Sequence, residues 1–89
     1  MTRGETRIRN QKGLHLRSAG TFVKRASQFA SHILVGLPDQ PAVDGKSILG
    51  LATLGAARGT PIIITAEGPD EAQAVRELVQ LVDHGFQED

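Results

Sequence analysis

The chain contains no cysteine, no tryptophan and no tyrosine. Without thiols there is no disulfide framework and no thiolate chemistry. Phe22, Phe29 and Phe86 are the whole aromatic content. That is too little for a platform on which bases stack. An excess of one charge is missing too. Ten basic side chains face ten acidic ones, with a formal net charge of zero. The two signs are interspersed, whereas a nucleic-acid binder usually carries a basic face, so no nucleic-acid partner is expected. No apolar run approaches membrane-spanning length, so no membrane insertion is expected. The polar start Met1-Thr2-Arg3-Gly4-Glu5 has no apolar stretch behind it, and no signal peptide is expected. A cytoplasmic protein is the plain reading. At 89 residues the chain reads as a single domain, 1–89, with a modest core.

What is present reads as alternating strands and helices. Glu5 to Arg9 alternates around Ile8 and predicts a weak first strand. Asn10 to Gly13 supplies turn residues. Leu16, Ala19, Phe22, Val23 and Ala26, with Ala30 beyond, recur at spacings of three and four and predict one helix stripe. Ile33-Leu34-Val35 predicts a second strand. Gly36 to Pro41 reads as a turn, and Ala42-Val43 as a short third strand in a hairpin with the second. Ser47 reads as the N-cap of a short helix reaching Leu54. That helix has more apolar residues than one face can bury. Ile48 and Leu51 are therefore expected to point outward, as a contact patch. Pro61 to Ala66 is the clearest strand, because successive β-branched residues suit a pleated surface. Gly68-Pro69-Asp70-Glu71 opens a last helix with acids in its first turn. Ala72, Val75, Leu78, Val79 and Val82 form its stripe. Gly85 reads as its stop, and Gln87-Glu88-Asp89 as a frayed tail. Strand, helix, hairpin, helix, strand, helix is the order of an α+β fold: an antiparallel sheet covered on one face.

Lys12-Gly13-Leu14-His15-Leu16-Arg17-Ser18-Ala19 carries the most chemistry. A histidine stands just before a helix start, after a glycine turn, with an arginine two residues on. The free N–H groups of a first helical turn form an anion site, favoured by the macrodipole. A neutral imidazole nitrogen accepts a phosphoryl group, and an unperturbed histidine side chain, with a pKa of roughly 6.5, is mostly neutral at cytosolic pH. His15 is thus the candidate acceptor. The first-turn positions Leu16, Arg17 and Ser18 are the candidate phosphate-binding positions, Arg17 through its planar fork of donors. His32 and His84 lack ligand spacing, and no metal site is expected. No base with an orienting partner accompanies His15, so a free-standing hydrolase is not expected.

Three stretches, in order, resemble the family of histidine-containing phosphocarrier proteins (HPr) of the phosphoenolpyruvate-dependent sugar phosphotransferase system. Gly13-Leu14-His15-Leu16-Arg17-Ser18-Ala19 is close to that family's active-site pattern Gly-Leu-His-Ala-Arg-Pro-Ala. Leu16 stands where the pattern has alanine and Ser18 where it has proline. Val43-Asp44-Gly45-Lys46-Ser47-Ile48-Leu49-Gly50-Leu51 is like the regulatory-serine motif. Gly59-Thr60-Pro61-Ile62-Ile63-Ile64-Thr65-Ala66-Glu67-Gly68-Pro69-Asp70-Glu71-Ala72 matches the closing strand and turn.

The resemblance implies an open-faced β-sandwich, βαββαβα, with four antiparallel strands and three helices on one side. It implies a phosphocarrier without a cofactor. His15, through Nδ1, would take a phosphoryl group from phosphorylated enzyme I and pass it to a histidine of an enzyme IIA domain, with Arg17 assisting. Ser47 would be the regulatory phosphorylation site of an HPr kinase/phosphorylase. Leu16, Lys46, Ile48 and Leu51 would meet partners, and the chain would work as a monomer. The alternative is a regulatory docking module of the same fold, with His15 or Ser47 phosphorylation as a signal state.

Overall fold

The computed structural model describes residues 1–88. Its elements are β1 (Thr2–Arg7), α1 (Leu16–Ala26), β2 (His32–Gly36), β3 (Val43–Asp44), α2 (Ile48–Thr53), β4 (Pro61–Glu67) and α3 (Glu71–Asp83), followed by a 3₁₀ turn, Gly85–Gln87. The strands form one four-stranded sheet in the order β1-β4-β2-β3, and every pair is antiparallel. Three α-helices accompany it, and the sheet is open.

Alternation along β4 explains the layering. Ile62, Ile64 and Ala66 are buried, while Ile63 and Thr65 between them are half-buried. The inner residues join Ile33 and Val35 of β2, Phe22 and Ala26 of α1, and Leu78 and Val82 of α3 in one core. Burying such side chains contributes about 1.5–3 kcal/mol each. That is the main stabilisation available to so small a domain.

β1 starts earlier than expected, at Thr2 rather than Glu5, and ends at Arg7. Its register against β4 runs from Thr2↔Ala66 to Arg7↔Pro61. The strand is hard to read because its inward positions are not apolar. Gly4 faces α3, where an added Cβ would stand 2.7 Å from Val75 Cγ1. The close approach of α3 replaces the side chain that sequence patterning looks for.

Three expectations about helix faces are corrected. Ala72 of α3 is exposed, and Ala74 and Leu81 join Val75, Leu78 and Val82 on its buried face. Leu16 is not part of the buried stripe of α1 but 63% exposed, and Ser18 takes the inward place beside Ala19 and Phe22. Leu51 does not point outward. It is completely buried, and Leu49 is the exposed residue of α2, at 73%. The helix has only six residues, and Leu51 is the one that faces the core. The tail is not frayed as far as Glu88. Phe86 is buried in the main core, and Gly85–Gln87 forms a turn. The Asp89 part of that expectation lies outside the described residues.

Candidate functional site

His15 is the N-cap of α1, with extended backbone. Gly13 places it there. Gly13 has φ +74°, and an added Cβ would lie 2.5 Å from the carbonyl oxygen of Ala56. The next residue, Leu14, donates its N–H to that same carbonyl at 2.8 Å, pinning the loop to the chain beyond α2. Only glycine satisfies both the left-handed turn and the close approach.

His15 Nδ1 accepts a hydrogen bond from the Arg17 N–H at 3.3 Å. Its neutral ring therefore carries its proton on Nε2 and presents a lone pair on Nδ1 toward the first helical turn. In return the Ser18 hydroxyl accepts from the His15 N–H at 2.9 Å and donates to the Gly13 carbonyl at 3.0 Å. This is a capping box in which histidine and serine take the usual places of serine and glutamate. Ser18 is fully buried. Its hydroxyl is engaged in holding the cap together.

A shallow depression of about 360 Å³ surrounds the imidazole, lined by Lys12, His15, Arg17, Gln87 and Glu88. Lys12 and Arg17 are exposed and bring positive charge to its mouth. Glu88 is the acidic member, with Oε2 at 3.3 Å from His15 Nε2. Asn10 ties the tail to the loop, donating from Nδ2 to Glu88 Oε1 at 2.9 Å and to the Gly13 carbonyl at 2.7 Å. Neither Asn10 nor Glu88 figured among the sequence candidates. The one available signal was Phe86, a large apolar residue just past the helix stop.

The second motif lies on α2. The Ser47 hydroxyl accepts from the Gly50 N–H at 3.0 Å, as an N-cap. Lys46 does not extend freely: its Nζ donates to the Phe29 carbonyl at 2.8 Å. Ile48 is 42% exposed beside Leu49. Among the described residues, no group of three or more His, Asp or Glu stands where it could hold a metal ion. His32 and His84 are both exposed.

The fold and the site define a class: a small open-faced α+β domain with a histidine that caps a helix and lines a charged depression. Comparison with known proteins makes the class particular. The family model described as PTS HPr component phosphorylation site matches residues 2–84. The phosphocarrier protein HPr of Neisseria meningitidis serogroup A is 43% identical over 88 residues, covering 99% of this chain and 98% of that one. A crystal structure of HPr-C-His from Thermoanaerobacter tengcongensis superposes with a TM-score of 0.92 at 40% identity, covering 100% of this chain and 99% of that one. A second from that organism, of an HPr dimer, has a TM-score of 0.76 at 41% identity, covering 99% of this chain and 100% of that one. The chain belongs to the HPr family, the phosphocarriers of the phosphotransferase system.

Proposed function

We propose that this chain accepts a phosphoryl group from phosphorylated enzyme I on His15 Nδ1 and passes it to a histidine of an enzyme IIA domain, as a cytoplasmic monomer. The observation that carries this reading is the Nδ1 lone pair held against the first turn of α1 by the Arg17 N–H. In the transfer that lone pair bonds to phosphorus. The bond from phosphorus to the donor nitrogen breaks, and its electron pair returns to the donor ring. The Arg17 N–H then turns from Nδ1 to a phosphate oxygen. The helix dipole adds roughly 0.3–1 kcal/mol for an anion at this end. Lys12 and the Arg17 guanidinium add charge at the mouth. Phosphoryl transfer between two histidines needs little beyond such positioning and charge stabilisation.

A second reading rests on Ser47. A phosphate on this N-cap, placed there by an HPr kinase/phosphorylase, adds about −1.5 to −2 charge beside Ile48 and Leu49. Docking through that apolar pair then weakens, and the chain acts as a regulatory module whose modification is the signal.

Incubation with phosphoenolpyruvate and enzyme I of the same organism, read by intact mass and acid lability, separates the two. An acid-labile phosphate that is absent in His15→Ala supports the carrier. A folded chain that takes no phosphoryl group from an active enzyme I overturns it in favour of the docking module.

A further inference from the structure

We infer that the Ser18 N–H is a donor to the phosphoryl group on His15, so that this chain holds the group more firmly than a proline at position 18 would allow. The inference rests on the phosphocarrier reading. It divides the work of Ser18 in two: the hydroxyl closes the cap, and the amide serves the phosphate.

The first hydrogen bond of α1 runs from the Ala19 N–H to the His15 carbonyl at 2.7 Å. The N–H groups of Leu16, Arg17 and Ser18 stand ahead of it and have no helical partner. The Arg17 N–H donates to His15 Nδ1 at 3.3 Å, which is long for such a bond. The Ser18 N–H faces the same side chain, as the third-position donor of the capping box. Nδ1 of a neutral ring has a single lone pair and cannot serve two donors well. The Ser18 N–H is therefore the under-used donor of the two.

Phosphorylation changes the supply of acceptors. The Nδ1 lone pair goes to phosphorus, and no ring acceptor is left for either N–H on that side. Three phosphoryl oxygens take its place, each a strong acceptor. The Arg17 and Ser18 N–H groups then have an oxygen each. Both keep their protons, and only their acceptors change.

Burial strengthens the effect. Ser18 is completely buried. A buried N–H lacks the water that would otherwise satisfy it, so an anionic acceptor gains more from it than from an exposed one. Its place is fixed as well. The Ser18 hydroxyl accepts from the His15 N–H at 2.9 Å and donates to the Gly13 carbonyl at 3.0 Å. The residue that offers the amide is thus tied to the residue that carries the phosphate.

Proline, which stands here in the active-site pattern the chain resembles, has no N–H. This chain has one donor more. The added bond exists only while the phosphoryl group is on His15, so it lowers the phosphorylated state alone. Acceptance from enzyme I gains by the factor that delivery to an enzyme IIA histidine loses.

Two substitutions separate the amide from the hydroxyl. Ser18→Pro removes both, at a first-turn position where proline is tolerated. Ser18→Ala removes the hydroxyl alone. The readout is the equilibrium constant for transfer from phosphorylated enzyme I, taken from the distribution of phosphate by intact mass. It is expected to fall about tenfold in Ser18→Pro, the effect of one hydrogen bond to a charged group, and by no more than about twofold in Ser18→Ala. A second readout needs neither a variant nor enzyme I. Phosphoramidate transfers its phosphoryl group to histidine and releases ammonia. In the parent so treated, the Ser18 amide proton resonance is expected to move downfield together with that of Arg17. Equal constants in Ser18→Pro and the parent overturn the inference, as does a Ser18 resonance that stays in place. Falls of equal size in the two variants also overturn it and assign the effect to the hydroxyl. If enzyme I does not phosphorylate the parent, the carrier reading has failed on its own, and the chemically phosphorylated chain still reports on the amide.

Discussion

Ser18 shows how one residue changes role when its surroundings are known. In the sequence it stands in a first helical turn, where a hydroxyl can serve either a phosphate or the cap. In the structure it is buried and closes a reciprocal cap with His15. The cap fixes the backbone on which the imidazole stands. Ser18→Ala leaves the His15 N–H without its acceptor, and a buried donor left so costs about 1–3 kcal/mol. The urea midpoint should fall accordingly, with His15 still able to take a phosphate. A Ser18→Ala protein of unchanged stability contradicts the cap. The place of His15 just before the first turn of α1 was legible from the order of residues, because capping is local. The Asn10–Glu88 pairing was not, because its members lie 78 positions apart.

At the scale of the element, α2 is the instructive case. Its six residues make less than two turns, so apolar content alone does not say which side chain turns inward. Leu51 does, and Leu49 does not. Leu51→Ala is expected to cost about 2–5 kcal/mol, the range for an emptied leucine site. Leu49→Asp, on the exposed side, should change stability by no more than about 0.5 kcal/mol. If α2 meets enzyme I, that same substitution raises KM in phosphoryl transfer without lowering stability. Equal unfolding curves for Leu51→Ala and the parent would contradict the assignment of faces. α1 is a contrasting element. Its spacing of three and four was readable over eleven residues, but Leu16 faces away from the core, and Ala30 is exposed beyond the helix end at Ala26.

Across the whole molecule, the two ends of the chain are tied to distant parts of the fold. At one end the Thr2 hydroxyl donates to Glu71 Oε2 at 2.6 Å, and the amino terminus lies 3.0 Å from the same oxygen. These, with the Gly68 N–H, hold the Glu71 carboxyl down from the ordinary 4.5 to about 2. Asp70 is lowered as well, first by the Ser31 hydroxyl and then by the Ala30 N–H. Both groups bind a proton less readily when folded. Their contribution is complete above the unfolded value and is lost as the pH falls from about 4.5 toward 2. Urea unfolding across that window should show a loss of stability that is smaller in Glu71→Gln, and parallel losses in the two proteins would refute the link. At the other end, Phe86 and Glu88 bring the tail to His15.

The sequence by itself determined the order of strands and helices, the α+β class, the family likeness and the histidine at a helix start. Each of these depends on short-range spacing, on β-branched runs or on the capping preferences of neighbouring residues. Only the tertiary structure decided that β1 begins at Thr2, that Leu51 is core and that a carboxylate from the tail stands at the imidazole. Those features depend on packing between residues far apart in the chain, and no local pattern of side chains encodes that packing.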